Sequence, residues 1–136
     1  MAVLRDELIG LRSMDDIIKA RQVVRECAIL QGLSLVDQTK LVTAASELAR
    51  NTLIHGGGGE MRLQALNDGS RRGVKVIFVD SGPGIADVEL AMKDGYSTGK
   101  SLGLGLPGTK RLVNEFSIKS ALGEGTVIVI IKWANG

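Results

Sequence analysis

Residues 74–108 read VKVIFVDSGPGIADVELAMKDGYSTGKSLGLGLPG, and this stretch decides how the rest of the chain is organised. Its first six residues are mostly β-branched or aromatic, which predicts a buried strand over residues 74–79. The strand ends at Asp80, close to a Gly-Pro-Gly turn. The sequence therefore predicts a carboxylate at a glycine-lined edge, an arrangement that suits a ligand.

A second glycine cluster follows about twenty residues later in the same stretch. Gly103, Gly105 and Gly108 lead into a helical pattern over residues 109–115. Backbone N–H groups and a helix N-terminus at this point favour an anion. The stretch thus predicts a site that reads a base at one end and holds phosphates at the other.

Two standard phosphate-binding motifs lie near these glycines, and neither fits. G-x-G-x-x-G over residues 103–108 matches the dinucleotide fingerprint, but polar turn formers precede it where that motif requires a strand. G-x-x-x-G-K-S over residues 95–101 is one residue short of the P-loop spacing, with Asp94 in place of the first glycine. We interpret residues 94–102 as a mobile lid whose Lys100 compensates phosphate charge.

The composition is that of one ordinary globular domain. The chain has 136 residues, of which 44% are hydrophobic and 24% charged. This length can bury a core without disulfide or metal staples, so residues 1–136 are expected to form a single domain. A net charge of +2 and an aromatic content of 3% argue against nucleic-acid and anionic-membrane partners.

Cysteine usage and hydropathy bear on the compartment. The single Cys27 has no second cysteine to pair with and is expected to be a small buried hydrophobe on a helix. The chain lacks an apolar run of about 18 residues, and its first residues lack a signal-peptide pattern. Together these features predict a reducing cytoplasm.

Two helices are predicted before the organising stretch. A short edge strand over residues 7–12 precedes Ser13-x-x-Asp16, which resembles a capping box and starts a helix over residues 15–30. The predicted buried face of this helix consists of Ile17, Ala20, Val24, Cys27 and Ala28. Ser34 caps the second helix, whose predicted apolar seam consists of Leu41, Ala44, Ala45, Leu48 and Thr52.

The second helix also carries a polar row. Glu47, Asn51 and His55 follow one another at intervals of one turn. An asparagine amide oxygen is a hard, neutral ligand that suits Mg²⁺ beside a triphosphate, and Glu47 could orient or deprotonate an attacking nucleophile. From this helix alone, a solvated face of ordinary polar residues is an equally good interpretation.

The remaining elements predict an α+β fold. Strands over residues 60–66 and 74–79 form a hairpin, a short helix follows over residues 87–93, and a helix with Pro107 in its first turn runs to about residue 115. A second hairpin joins residues 116–122 to 126–133, and the run 127–131 predicts a central strand covered on both faces. The architecture is a two-layer α/β sandwich with helices on one face of a mixed, largely antiparallel sheet.

Taken together, the glycines and polar residues resemble a known set of motifs. The residues that carry the resemblance are Glu47-x-x-x-Asn51, Asp80-x-Gly82-x-Gly84, Gly103-x-Gly105 and Gly125-Thr126. In this order they look like the N, G1, G2 and final threonine motifs of the GHKL (Bergerat-fold) ATPase/kinase superfamily. The short lid and the phrases SELARN, DSGPGI and LPGTKRL are similar to RsbT-type serine/threonine-protein kinases of the anti-sigma-factor kinase group.

The resemblance implies a role for each motif residue. Asn51 would bind Mg²⁺, Glu47 would assist the phosphoryl acceptor, and ATP would be the phosphoryl donor. Asp80 would accept the adenine amino group, with Thr126 assisting through water. The glycines that would approach the nucleotide are Gly82 and Gly84 at adenine and Gly103 and Gly105 at the phosphates.

The resemblance also implies partners. Such kinases phosphorylate a serine or threonine of STAS-domain antagonist proteins and, once released, activate a phosphatase of the PP2C type. Sigma-binding anti-sigma kinases of the same fold are the close alternative, as is a nucleotide-gated binding module that sequesters a sigma factor. Histidine-kinase autophosphorylation is disfavoured, because the single histidine, His55, ends the asparagine-bearing helix instead of lying on a dimerisation helix.

Overall fold

The computed structural model describes residues 1–85, 88–92 and 105–134, and these form one sheet with helices packed on one of its faces. The elements in chain order are β1 (Ala2–Leu11), α1 (Met14–Leu30), α2 (Leu35–Ile54), β2 (Gly59–Asn67), β3 (Arg72–Asp80), α3 (Val88–Ala91), α4 (Gly105–Arg111), β4 (Glu115–Ala121) and β5 (Gly125–Trp133). The predicted α+β class is confirmed. The predicted lid lies outside the described residues.

The sheet has five strands in the order β1-β2-β3-β5-β4. The four pairings between these described strands are all antiparallel, where the sequence predicted a largely antiparallel sheet with some mixed character. Between β3 and β5 the register places Asp80 opposite Thr126. Two motifs that are separated by more than forty residues of sequence thus meet at one edge of the sheet.

Alternation along the strands decides which face is buried. Met61, Leu63 and Ala65 of β2 point to the helical layer and are buried, while Arg62 between them is exposed. The buried residues of α1 are the five that its periodicity predicts, and the whole predicted seam of α2 is buried. Each fully buried aliphatic or aromatic side chain contributes about 1.5–3 kcal/mol.

β5 differs from the prediction of a strand covered on both faces. It does lie inside the sheet, between β3 and β4, and its inner residues Ile128 and Ile130 are buried. The outer face carries no helix among the described residues, so Val127 is 36% exposed. The unbroken β-branched run therefore correctly indicates a strand in the interior of the sheet, but it does not indicate that both faces of that strand are packed against other elements.

Two element boundaries also differ from the sequence prediction. β1 begins at Ala2 rather than near residue 7, because it pairs with β2 from Ala2 opposite Asn67 to Leu11 opposite Gly59, with one register shift between Val3 and Arg5. The last helix ends at Arg111, before its predicted end near residue 115. The reason is that Asn114 already bonds to β5, its N–H donating to the Ile131 carbonyl at 3.0 Å.

Buried polar groups connect the helical layer to the sheet. Gln31, directly after α1, is buried, and its Nε2 donates to the carbonyls of Leu66 and Gly73 at 2.8 Å each. Asp37 in the first turn of α2 lies 3.5 Å from the Lys132 ammonium of β5, and both side chains are about one-tenth exposed. These contacts fix the end of the helical layer that lies farthest from the Asp80 edge.

Cys27 is buried among the α1 core residues, as predicted. Burial raises the pKa of its thiol to about 11, since the thiolate would lose its hydration. The thiol is therefore protonated at neutral pH and acts as a small apolar side chain. Among the described residues, no helix combines the length and apolarity that crossing a bilayer requires.

Candidate functional site

A cavity of about 290 Å³ opens between the C-terminal half of α2 and the sheet edge where β3 ends and β5 begins. Its polar lining comes from Asn51, Thr52, His55, Asp80 and Thr126. Among the residues that the structure describes, the rest of the lining consists of Leu48, Gly56, Phe78, Pro83, Gly84, Ile85, Ala91, Gly105, Leu106 and Ile128. An apolar pocket with a few converging polar groups is a typical small-molecule site.

α2 supplies one wall of the cavity. Asn51 and His55 are one turn apart on the helix and both line the cavity, as do Leu48 and Thr52 beside them. The helix ends at Ile54, and the Asn51 carbonyl accepts the N–H groups of His55 and Gly56 at 2.9 and 3.2 Å. Two of the three residues of the predicted polar row, Asn51 and His55, thus line a ligand-sized space, although His55 is also exposed to solvent.

The Asp80 carboxylate forms the opposite wall. Its Oδ1 accepts the N–H of Gly82 at 2.9 Å, so one oxygen is fixed in place and the carboxylate has further capacity to accept a hydrogen bond. A methyl group on Gly56 would lie 2.5 Å from the Asp80 Cγ. Gly56 therefore makes room for the carboxylate under the end of α2, a role that the sequence did not predict.

The loop after Asp80 packs tightly against the second hairpin. Gly84 has a φ of +75°, and a side chain there would collide with the Ala121 carbonyl. The next residue, Ile85, donates its N–H to the Ser120 hydroxyl at 2.7 Å. The glycine at position 84 thus allows a close approach of the backbone to the β4–β5 hairpin, while its predicted approach to adenine stays a prediction.

Ser120 also connects this loop to Thr126. Its hydroxyl lies 3.0 Å from the Gly125 carbonyl and 2.8 Å from the Thr126 hydroxyl. Ser120 lies opposite Thr126 in the β4–β5 register. Sequence reasoning missed Ser120, because a single serine in a strand carries no signal until the strand pairing is known.

Glu47 lies one turn before Asn51 but does not line the cavity. Within the described part of the chain, its Oε1 is buried and has no hydrogen-bond partner, and the same holds for Nε of Arg50. A buried polar atom without a partner costs about 1–3 kcal/mol, so such atoms are rare in folded proteins.

The structure brings most of the predicted site residues together. Asn51, Asp80, Gly84, Gly105 and Thr126 line the cavity. Gly82 holds the Asp80 carboxylate and Glu47 lies one turn from Asn51, so both are adjacent to the cavity. Lys100 and Gly103 lie outside the described residues, as does the predicted lid, and their roles stay predictions.

The apolar side of the cavity was only partly predictable. Phe78 and Ile128 are directly opposite each other on β3 and β5 and are buried. Leu106 of α4 and Ala91 of α3 complete this side. The strand pattern identifies Phe78 as buried, but only the pairing of β3 with β5 shows that these side chains form the wall of a cavity. An apolar wall of this kind suits the apolar part of a small-molecule ligand.

The residues at the cavity are suited to Mg²⁺ carried in with a phosphate ligand. Asn51 lines the cavity, and its side chain carries a neutral amide oxygen. Among the described residues, no group of three His, Cys, Asp or Glu side chains is placed to enclose a metal. Mg²⁺ commonly keeps several waters and binds through one or two protein ligands plus substrate phosphates, so one side-chain oxygen fits this mode.

Comparison with known proteins agrees with this geometry. Residues 12–132 match the family described as the histidine kinase-like ATPase domain. The chain is 48% identical over 118 residues to the serine/threonine-protein kinase RsbT of Bacillus subtilis (strain 168), covering 87% of this chain and 89% of that protein. It is 29% identical over 120 residues to the anti-sigma F factor of Thermoanaerobacter sp. (strain X514), covering 84% and 82%.

Proposed function

Because this chain belongs to the histidine kinase-like ATPase domain family, we propose that it is an ATP-dependent serine/threonine-protein kinase acting on a STAS-domain antagonist protein. The pathway is partner switching in sigma-factor and stress regulation. The observation that carries the proposal is one cavity lined jointly by Asn51, Asp80 and Thr126. The likeness to a serine/threonine-protein kinase along most of the chain supports it.

Adenine binds at the sheet edge. The Asp80 carboxylate accepts the exocyclic amino group, and Thr126, directly opposite on β5, assists through water. Phe78 and Ile128 provide an apolar surface beside these polar groups. A charged acceptor in a mostly apolar pocket gives both affinity and orientation, since the pocket excludes water that would compete for it.

The phosphates lie toward Asn51 and Gly105. Gly105 has a φ of +68° at the start of α4 and lines the cavity, so its backbone can approach a ligand closely. Lys100 and Gly103 are proposed to act with it on the phosphates. Asn51 would hold the Mg²⁺ that accompanies ATP, and a bound Mg²⁺ would supply charge stabilisation for phosphoryl transfer.

The acceptor hydroxyl comes from a partner. Phosphoryl transfer requires an oxygen in line with the γ-phosphate, and this small domain leaves the phosphate end of its cavity for a second protein. Glu47 then orients the hydroxyl or takes its proton, and its buried Oε1 gains the partner it lacks among the described residues. The released kinase is free to bind a phosphatase of the PP2C type.

Incubation with Mg²⁺-ATP and a candidate STAS-domain protein tests the proposal. We expect mass spectrometry to find one added phosphate on a serine or threonine of the STAS protein. The modified partner should bind more weakly, because the added charge near −2 faces the phosphate end of the cavity. If no STAS protein encoded beside this gene gains phosphate, the kinase proposal is wrong.

The alternative is a nucleotide-gated anti-sigma factor with little kinase activity. The likeness to anti-sigma F factors favours keeping it. The two functions differ in the residues that they require. A binding module requires the adenine end of the cavity, whereas a kinase also requires Glu47 of α2. A stable complex with a sigma factor, formed by a protein that transfers no phosphate, would establish this alternative.

Glu47→Gln should separate chemistry from binding. The amide keeps the size of the side chain but cannot accept a proton, so phosphotransfer should slow by roughly 10²-fold or more if Glu47 is the general base. ATP affinity should stay near that of the parent, because Glu47 does not line the cavity. Single-turnover phosphorylation and calorimetric ATP titration measure the two effects separately.

Glu60→Gln is the matched control for this variant. Glu60 is exposed on β2, so the same chemical change there should alter neither rate nor affinity. A smaller effect at Glu47 would mean that it orients the hydroxyl without taking its proton. Phosphotransfer as fast as in the parent would remove Glu47 from the mechanism.

A further inference from the structure

The hydroxyl of Ser120 sits at the centre of three contacts beside the adenine end of the cavity. It lies 2.7 Å from the Ile85 nitrogen, 3.0 Å from the Gly125 carbonyl oxygen and 2.8 Å from the Thr126 hydroxyl oxygen. Ser120 does not line the cavity, whereas Ile85 and Thr126 do. Any effect of Ser120 on a ligand therefore passes through these two neighbours.

A proton count fixes the direction of each bond. The Ile85 N–H can only donate, so Ser120 accepts from it. The Gly125 carbonyl can only accept, so it takes the single hydroxyl proton of Ser120. The remaining contact is satisfied only if the Thr126 hydroxyl donates to Ser120. Thr126 then has only lone pairs left for the cavity.

This orientation matters because the neighbouring group is also an acceptor. Asp80 lies opposite Thr126 across β3 and β5, and its carboxylate has no proton to offer when ionised. The polar end of the cavity thus presents two acceptors side by side. Such an edge pairs with an exocyclic amino group, directly or through water, and repels a carbonyl oxygen at the same position.

We propose that Ser120 is a positioning residue that holds the Thr126 proton away from the cavity and so selects 6-amino purine nucleotides over 6-oxo purine nucleotides. The inference deepens the proposed function and rests on it, since it assumes that the cavity binds a purine nucleotide. Asp80 recognises the amino group. Because the Thr126 hydroxyl donates its proton to Ser120, it cannot donate to a 6-oxo group in the cavity. The preference for 6-amino purines then depends on the hydrogen bond between Thr126 and Ser120 as well as on the Asp80 carboxylate.

The test compares the affinities for ATP and inosine triphosphate, which differ at the 6-position of the purine. In Ser120→Ala the Thr126 hydroxyl is free to turn and donate toward a 6-oxo group. We expect the ratio of ATP affinity to inosine triphosphate affinity to fall by about tenfold, beyond any loss common to both nucleotides. Ser117→Ala, on the exposed face of the same strand, is the matched control and should keep the parent ratio.

A double-variant cycle separates positioning from a structural role. If Ser120 acts through Thr126, then Ser120→Ala should change the ratio no further in a Thr126→Val background. Ser120→Thr restores a hydroxyl and should recover the parent ratio. Equal weakening of both nucleotides by Ser120→Ala, or a ratio change that persists without the Thr126 hydroxyl, would overturn the inference.

The parent protein distinguishes this inference from the function on which it rests. If the parent binds neither nucleotide, the proposed function is wrong and the inference fails with it. A parent that prefers ATP, together with a Ser120→Ala variant of unchanged ratio, would overturn only the role of Ser120. If Ser120→Ala does not fold, Ser120→Cys supplies the comparison, because a thiol is a weak acceptor and holds the Thr126 hydroxyl less firmly. Ser120→Cys should lower the ratio and Ser120→Thr should keep it. Any other pattern contradicts the inference.

Discussion

Asp80→Asn should weaken ATP and ADP binding by roughly 10²-fold or more while the fold persists. The asparagine oxygen can still accept the Gly82 N–H, which lies 2.9 Å from Oδ1 of Asp80. The new NH₂ group then meets the amino group of adenine, so two donors face each other. Losing a hydrogen bond to a charged group costs about 1.5–3 kcal/mol, and an unsatisfied buried donor costs about 1–3 kcal/mol more.

Calorimetric titration with ATP and ADP measures this loss, and circular dichroism checks the fold. Asp15→Asn is the matched control, because Asp15 is exposed in the first turn of α1. That variant makes the same chemical change and should bind nucleotide like the parent. Unchanged ATP affinity in Asp80→Asn would contradict the assignment of the adenine end.

The helical layer was predictable because its periodicity is local. The five residues predicted to be buried in α1 are buried, since a 3.6-residue repeat defines one face without reference to the rest of the fold. The strand β3 and the position of Asp80 at its end were also predictable from a local pattern, a run of β-branched and aromatic residues. Local sequence patterns therefore predict that Asp80 ends a strand and that Asn51 lies on a helix, without knowledge of any tertiary contact.

Features that depend on strand pairing could not be read from the sequence. The bond from Ile85 to Ser120 joins residues 35 positions apart, and no local pattern marks either end. Gly56 likewise has meaning only because Asp80 lies against it. The early start of β1 and the one-sided cover of β5 are also consequences of sheet order, which local periodicity does not determine.

The sheet order explains why the site lies where it does. β3 and β5 are neighbours in space, but residues 81–124 lie between them in sequence. Antiparallel pairing returns the chain to the same edge, so the end of β3 meets the start of β5 and Asp80 faces Thr126. Described residues of this connection, among them Gly84, Ile85 and Leu106, line the cavity, as loop residues at functional sites commonly do.

Asn51→Ala should reduce phosphotransfer by roughly 10³-fold or more, because the metal supplies several kcal/mol of charge stabilisation to a phosphoryl transition state. Asn51 lines the cavity from α2 and is the residue proposed to hold the ion. The variant removes the amide oxygen but leaves Asp80 and Thr126 at the adenine end. Nucleotide should therefore still bind, with an affinity that no longer depends on Mg²⁺.

Titration of ATP with Mg²⁺ and with a chelator tests this directly, in the parent and in the variant. Thr43→Ala is the matched control, since Thr43 is exposed on α2 and does not line the cavity. Asn51→Asp adds a further comparison: it keeps a ligand oxygen but brings a negative charge toward the phosphates, so it should retain Mg²⁺ dependence with weaker ATP binding. A parent protein whose ATP affinity is the same with and without Mg²⁺ would contradict the assignment, because Asn51 would then hold no ion.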